Sequence, residues 1–117
     1  MKKCLIVEDN AGLLAILKKR LESTGFSVDT IEDGHQLLAY MKDAQAPDVI
    51  VLDLMLPERS GMDLLYSLKS KWPGTKIFIF SAHLEYKDKS LFEDYICGFY
   101  SKIEGTGKLI EAIKREL

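Results

Sequence analysis

The feature that most constrains the fold of this chain is a regular alternation of short apolar runs with segments of helical periodicity. Five apolar runs are typical of β-strands, at 3–7, 26–31, 49–53, 76–82 and 98–101. Five further segments are typical of helices, at 11–23, 34–44, 61–71, about 84–93 and about 108–117. Three of the strands are almost continuously apolar, as expected when helices cover both faces of a sheet. With right-handed crossovers, this pattern predicts an α/β, doubly wound parallel sheet of five strands.

Length and charge limit the remaining possibilities. A chain of 117 residues predicts one domain over 1–117, with no second domain in this chain. The 16 basic and 18 acidic residues give a net charge of −2 without a long basic block, so we expect no direct contact with nucleic acid. The first apolar run ends at Glu8 and is too short for a signal peptide or a membrane span. We therefore expect a cytoplasmic protein without membrane contact, whose Cys4 and Cys97 are reduced thiols.

Polar side chains follow four of the predicted strands at the point where each strand ends. In doubly wound sheets, ligands bind outside the carboxyl ends of the strands. Glu8 and Asp9 follow the first strand, Asp53 ends the third, Ser81 lies at the end of the fourth and Lys102 follows the fifth. Each residue alone has a simple structural explanation, such as capping a helix or beginning a turn. Their common position at one edge predicts a functional site.

The chemistry of this set points to phosphoryl transfer. Carboxylates that lie close together repel one another, and a hard divalent cation such as Mg²⁺ relieves that repulsion through oxygen ligands. Lys102 supplies a second positive charge, and Ser81 supplies a donor for a phosphoryl oxygen. An aspartate can itself be the nucleophile and form an aspartyl-phosphate. Asp53 is the candidate because its strand is central.

The same residues carry a resemblance to a known family. Over essentially its whole length, the sequence resembles the receiver domain of two-component response regulators. The resemblance rests on four motifs: VEDN at 7–10, VLDLMLPERSGMDLL at 51–65, SA at 81–82 and FYSK ending at Lys102. It implies a flavodoxin-like (βα)₅ fold with strand order 2-1-3-4-5. It also implies phosphorylation of Asp53 by a phosphohistidine on a sensor histidine kinase or a phosphotransfer protein.

The resemblance further assigns individual roles. It implies direct Mg²⁺ ligation by Asp9 and Asp53, contact of Glu8 through a coordinated water, and a ligand from the backbone carbonyl of Met55. Ser81 and Lys102 would contact phosphoryl oxygens, and Phe99 would be the aromatic switch that turns inward with Ser81, although the adjacent Tyr100 competes for that role. The face formed by 84–117 would then bind a downstream effector or output domain. The protein would catalyse its own phosphorylation and dephosphorylation without being a conventional turnover enzyme.

One departure from the family pattern leaves an alternative open. Ile103 follows Lys102 where the family usually has proline, so we expect a trans peptide bond there. The substitution slightly favours a pseudo-receiver, a protein-binding module that signals without phosphorylation. A haloacid dehalogenase-type hydrolase would need a second aspartate as general acid where this chain has Met55. Nucleotide binding is disfavoured because no strand is followed by a Gly-rich phosphate loop.

Overall fold

The computed structural model describes residues 1–56, 61–82 and 94–116, with the exception of the Met62 side chain. Its sheet has five strands: β1 Lys3–Val7, β2 Ser27–Ile31, β3 Val49–Leu52, β4 Lys76–Ser81 and β5 Gly98–Ser101. The strand order is β2-β1-β3-β4-β5, and all four pairings are parallel. The predicted fold class and strand order are therefore confirmed. The sheet places β1 and β3 side by side at its centre.

Described helices connect β1 to β2, β2 to β3 and β3 to β4, and a further helix follows β5. The described helices are α1 Ala11–Ser23, α2 Gly34–Asp43, α3 Gly61–Lys71 and α4 Gly107–Lys114, with a 3₁₀ helix at Lys102–Glu104. The helix predicted at 84–93 lies outside the described residues. The second strand begins one residue later than predicted because the Phe26 N–H donates to the Leu21 carbonyl oxygen, closing the end of α1. The last helix was predicted at 108–117, but it ends at Lys114.

Alternate residues of each central strand bury their side chains on opposite faces of the sheet. One core lies under α1 and α4 and contains Ile6, Val51, Phe78, Leu17 and Ile113, among others. The other lies under α2 and α3 and contains Val7, Ile50, Ile79, Leu37 and Leu68, among others. These strands are apolar on both faces because both faces are covered. Within the described part of the chain, no helix has the length and apolarity needed to cross a membrane.

Side-chain caps set where the first two helices begin. The Asn10 side chain accepts a hydrogen bond from the Leu13 N–H at 3.0 Å and so caps α1. Asp33 does the same for α2 through the Gln36 N–H at 2.8 Å. An N-cap of this kind satisfies an amide that has no partner inside the helix. Because α1 begins at Ala11, the residues just before its cap are held at the carboxyl end of β1.

Candidate functional site

Glu8 and Asp53 are fixed at the carboxyl edge of the sheet by the backbone ladder. The Glu8 N–H donates to the Ile31 carbonyl oxygen at 2.9 Å, and the Asp53 N–H donates to the Val7 carbonyl oxygen at 3.1 Å. These bonds continue the pairing one residue beyond the strand ends. Glu8 is only 1% exposed and Asp53 only 2% exposed. Both carboxylates are therefore held at nearly buried positions, where an unpaired charge is costly.

Three carboxylates meet at this edge. Oxygen atoms of Glu8, Asp9 and Asp53 all lie within 4.8 Å of one another, and Asp9 is the exposed member of the cluster. They converge because β1 and β3 are neighbours, so that the residues following these two strands share one end of the sheet. Hard cations prefer ligands of this type. The donor set and its partly open side therefore suit a divalent cation such as Mg²⁺.

Lys102 supplies a counter-charge to two of these carboxylates. Its Nζ lies 2.8 Å from Asp53 Oδ2 and 2.7 Å from Glu8 Oε1. The ammonium of Lys102 reaches the acidic cluster from the end of β5, across β4. Three carboxylates and one ammonium leave two formal negative charges at the site. This excess equals the charge of one divalent cation.

Backbone amides hold the other carboxylate oxygens. Glu8 Oε2 accepts the Asn10 N–H at 3.0 Å, and Asp53 Oδ1 accepts the Met55 N–H at 2.9 Å. Both carboxylate oxygens of Glu8 and of Asp53 are therefore bound, one by a backbone amide and the other by Lys102, which restricts side-chain rotation. The orientation of the acidic cluster is therefore set by the chain itself.

Burial and charge pairing have opposite effects on the ionisation of Glu8 and Lys102. Burial raises the pKa of Glu8 despite the opposing hydrogen bonds from Lys102 and Asn10, and the Asp53 charge adds to the increase. Burial by itself would lower the pKa of Lys102, but hydrogen bonds to Asp53 and Glu8 outweigh it and raise that pKa. The pair therefore favours a charged lysine, while Glu8 holds its proton more tightly than a solvated glutamate.

Ser81 and the two aromatic residues lie on the neighbouring strands. Ser81 is the last residue of β4 and is completely buried. Phe99 is partly buried against the core under α2 and α3, whereas Tyr100 packs on the opposite face, with its ring centroid 6.2 Å from that of Phe78. The two candidate switch rings thus point to different cores. Of the predicted output face at 84–117, only residues 94–116 are described.

The segment after Lys102 follows a defined path with isoleucine, not proline, at position 103. The Lys102–Ile103 peptide bond is trans, as predicted, and the Ile103 side chain is 85% exposed. Ser101 Oγ accepts the Ile103 N–H at 3.2 Å, and Gly105 turns the chain with φ of +82° while its N–H donates to the Lys102 carbonyl oxygen. A positive φ at this turn suits glycine.

Sequence reasoning missed two features around the site. It did not anticipate that Glu8 pairs directly with Lys102, because residues 94 positions apart carry no local signal of contact. It also missed the close packing of Gly61, where an added Cβ would lie 2.8 Å from the Leu54 Cα and carbonyl oxygen. A glycine at the first position of a predicted helix was the available signal for the second feature.

Comparison with known proteins agrees with this geometry. Residues 4–114 match the family model for the response regulator receiver domain. The chain is 36% identical over 94 residues to the probable transcriptional regulatory protein TcrX of Mycobacterium tuberculosis, covering 80% of this chain and 37% of that protein. It is 30% identical over 119 residues to the alkaline phosphatase synthesis transcriptional regulatory protein PhoP of Bacillus subtilis, covering 97% of this chain and 49% of that protein. The chain therefore spans less than half the length of these two relatives.

Solved structures show the same architecture. The response regulator TrrA of Thermotoga maritima, in complex with Mg²⁺ and beryllofluoride, superimposes with a TM-score of 0.86 at 26% identity, covering 100% of both chains. A CheY-like receiver domain protein of Methanospirillum hungatei shares the fold with a TM-score of 0.90 at 23% identity, covering 99% of this chain and 93% of that one. From its sequence match, its fold and the acidic edge of its sheet, this chain belongs to the response regulator receiver domain family.

Proposed function

We propose that this receiver domain accepts a phosphoryl group on Asp53 from a phosphohistidine donor, in a reaction that depends on Mg²⁺. The observation that carries the proposal is the meeting of Glu8, Asp9 and Asp53 with Lys102 at the carboxyl edge of the sheet. A module used only for binding has no physical need for three converging carboxylates, since their mutual repulsion opposes folding. This argument disfavours the pseudo-receiver alternative.

The acidic cluster fits Mg²⁺ in both ligand type and charge. Asp9 and Asp53 would hold the ion directly, Glu8 would act through a coordinated water, and the Met55 carbonyl would complete the protein ligands. When bound, Mg²⁺ neutralises charge on the transferring phosphoryl oxygens. The TrrA complex with Mg²⁺ and beryllofluoride supports this assignment by analogy.

The transfer itself requires one bond to form and one to break. A carboxylate oxygen of Asp53 attacks the phosphorus, the P–N bond to the donor histidine breaks, and the released imidazole keeps the bonding electron pair. Met55 N–H orients Asp53 by binding Oδ1 at 2.9 Å. Lys102, whose Nζ lies at Asp53 Oδ2, is placed to stabilise negative charge on the phosphoryl group. Hydrolysis of the aspartyl-phosphate would restore the starting carboxylate.

Phosphorylation would be read out through Ser81 and Phe99. Ser81 would hydrogen-bond a phosphoryl oxygen, and its movement would allow the Phe99 ring to turn inward. Phe99 rather than Tyr100 is proposed because Tyr100 packs over Gly98, on the core under α1 and α4. The result would be a changed surface over 84–117, which presents a new face to a partner.

The partners follow from this chemistry. We propose that a sensor histidine kinase or phosphotransfer protein donates the phosphoryl group. An effector protein or output domain would then bind the phosphorylated receiver domain. Residues 1–117 would act as a single receiver domain, in the cytoplasm, through protein contacts and without direct binding of nucleic acid. The chain matches less than half the length of two transcriptional regulatory proteins. This supports the proposal that the receiver domain controls an output function carried by a different domain or protein.

Intact-mass measurement after incubation with acetyl phosphate, with and without Mg²⁺, tests the proposal. We expect a single phosphoryl adduct that requires Mg²⁺ and is absent from Asp53→Asn. Asp43→Asn, which alters an exposed carboxylate at the end of α2, is the matched control and should form the adduct normally. Absence of any adduct, together with absence of beryllofluoride binding, would favour the pseudo-receiver.

A further inference from the structure

The loop at 102–106, which carries Lys102, makes hydrogen bonds through residues that lie outside the motifs of the receiver family. Within this loop, the bonds of Ser101 Oγ to the Ile103 N–H and of the Gly105 N–H to the Lys102 carbonyl join only near neighbours in the chain. Such local bonds shape the turn but do not set its position against the sheet. The exposed Ile103 side chain adds little packing.

A side-chain contact joins the end of this loop to another helix. The guanidinium of Arg20, near the end of α1, donates a hydrogen bond to Thr106 Oγ1. Thr106 is the residue that precedes α4, and its hydroxyl makes no capping bond to that helix. A threonine at this position ordinarily accepts a bond from an amide of its own helix. Here its side chain is committed to Arg20 on α1.

The contact connects the two halves of the acidic site. α1 begins just after Glu8, whose carboxylate the Asn10 amide holds, and α4 begins just after the loop that carries Lys102. The Lys102–Glu8 ion pair joins these segments at the site, and the Arg20–Thr106 contact joins them again through the helices that follow. We propose that Arg20 and Thr106 are positioning residues that hold the Lys102 loop in place in a receiver that lacks the usual proline. The catalytic part of this inference rests on the proposed function.

The test compares Thr106→Val, which removes the hydroxyl but keeps the shape, with Thr106→Ser, which keeps the hydroxyl. We expect Thr106→Val and Arg20→Gln each to raise amide hydrogen exchange at Ile103 and Gly105 by about threefold to tenfold, the effect of losing one hydrogen bond. Both should lower the initial rate of phosphorylation by acetyl phosphate by a similar factor, whereas Thr106→Ser should stay within about twofold of wild type. The double variant should be no worse than the single ones, since both remove the same contact.

Lys18→Ala controls for loss of a positive charge from the exposed face of α1 and should leave exchange and phosphorylation unchanged. Unchanged exchange at Ile103 and Gly105 in both single variants would overturn the inference. So would an equal rise in exchange at α3, because that result would mean general destabilisation. If wild type forms no phosphoryl adduct, the proposed function fails, but the exchange measurements still decide whether the contact holds the loop.

Discussion

Replacing Lys102 by methionine should destabilise the metal-free protein by an amount that reflects its two ion pairs. The side chains of Glu8 and Asp53 are only 2% and 3% exposed, so the variant leaves two nearly buried carboxylates without their cation. Breaking a buried ion pair by removing one partner costs about 3–5 kcal/mol. The Lys102 side chain is 20% exposed and the neighbouring Asp9 is open to solvent, so water screens part of the charge. We therefore expect a loss of about 2 kcal/mol in the free energy of unfolding.

Urea unfolding followed by circular dichroism, in EDTA and again in saturating Mg²⁺, measures this effect. A divalent cation replaces the missing charge, so Mg²⁺ should stabilise Lys102→Met more than it stabilises wild type and should recover at least half of the loss. Lys108→Met is the matched control. Its partner Glu104 lies 3.4 Å away in an exposed pair, which should contribute less than about 0.5 kcal/mol.

The pH dependence of the free energy of unfolding tests independently whether charged Lys102 stabilises the fold. Contacts with Asp53 and Glu8 raise the Lys102 pKa above 10.5, so the stabilisation by charged Lys102 is complete below pH 10.5 and is lost as pH rises through the folded-state pKa. Above neutral pH, the difference between wild type and Lys102→Met should therefore shrink only as the pH rises through that folded-state pKa. In acid, the difference should also shrink as Glu8, whose pKa burial raises, takes up a proton. An unchanged unfolding midpoint for Lys102→Met in EDTA would refute the reasoning, as would a loss that Mg²⁺ leaves untouched.

The remaining predictions concern the acidic site, the thiols and the packing at the start of α3. Because burial raises the Glu8 pKa above 4.5, its ionisation opposes folding, so in EDTA the stability of Glu8→Gln relative to wild type should rise with pH above 4.5 and level off beyond the folded-state pKa. A thiol reagent at pH 8 should label the exposed Cys97 in the native protein and spare Cys4, since burial raises the Cys4 pKa to about 12. Gly61→Ala should destabilise the fold by about 1–3 kcal/mol because the added Cβ meets backbone, whereas Gly74→Ala, which meets nothing within 4 Å, should not.

Each of these predictions has a contrary result. A pH-independent difference between Glu8→Gln and wild type, measured from urea midpoints, would mean that burial does not control Glu8 ionisation. Equal labelling of both thiols, followed by mass spectrometry, would contradict the buried position of Cys4. Equal melting temperatures for Gly61→Ala and wild type would show that the backbone at the start of α3 can shift to accommodate the added Cβ without loss of stability.

Much of the fold could be predicted from the chain because its patterns are local. Continuous apolar runs such as VIVL at 49–52 indicate a strand covered on both faces, and Asn10 and Asp33, which cap α1 and α2, are residue types that favour the N-cap position. The boundaries were less predictable. Phe26 fits a strand by composition, but it lies outside β2 because its amide closes the end of α1.

The candidate site was predictable in membership but not in its contacts. The carboxyl ends of parallel strands share one edge, so Glu8, Asp9 and Asp53 could be grouped before any contact was known. The hydrogen bonds from the backbone amides of Asn10 and Met55 to the Glu8 and Asp53 carboxylates depend on the turns that follow β1 and β3. The roles of Ser81 and Phe99 stay predictions, since they concern a phosphorylated state.

By itself, the sequence determined the α/β class, the order of strands through its family motifs and the set of ionisable residues at the sheet edge, because these depend on periodicity and on chain order. Only the tertiary structure decided that Lys102 lies between Glu8 and Asp53 at 2.7 and 2.8 Å. Only the tertiary structure joined Arg20 to Thr106. Two of these three contacts connect residues more than 80 positions apart, and the third, between Lys102 and Asp53, connects the ends of strands that are not neighbours. Their geometry follows from how the helices pack against a twisted sheet.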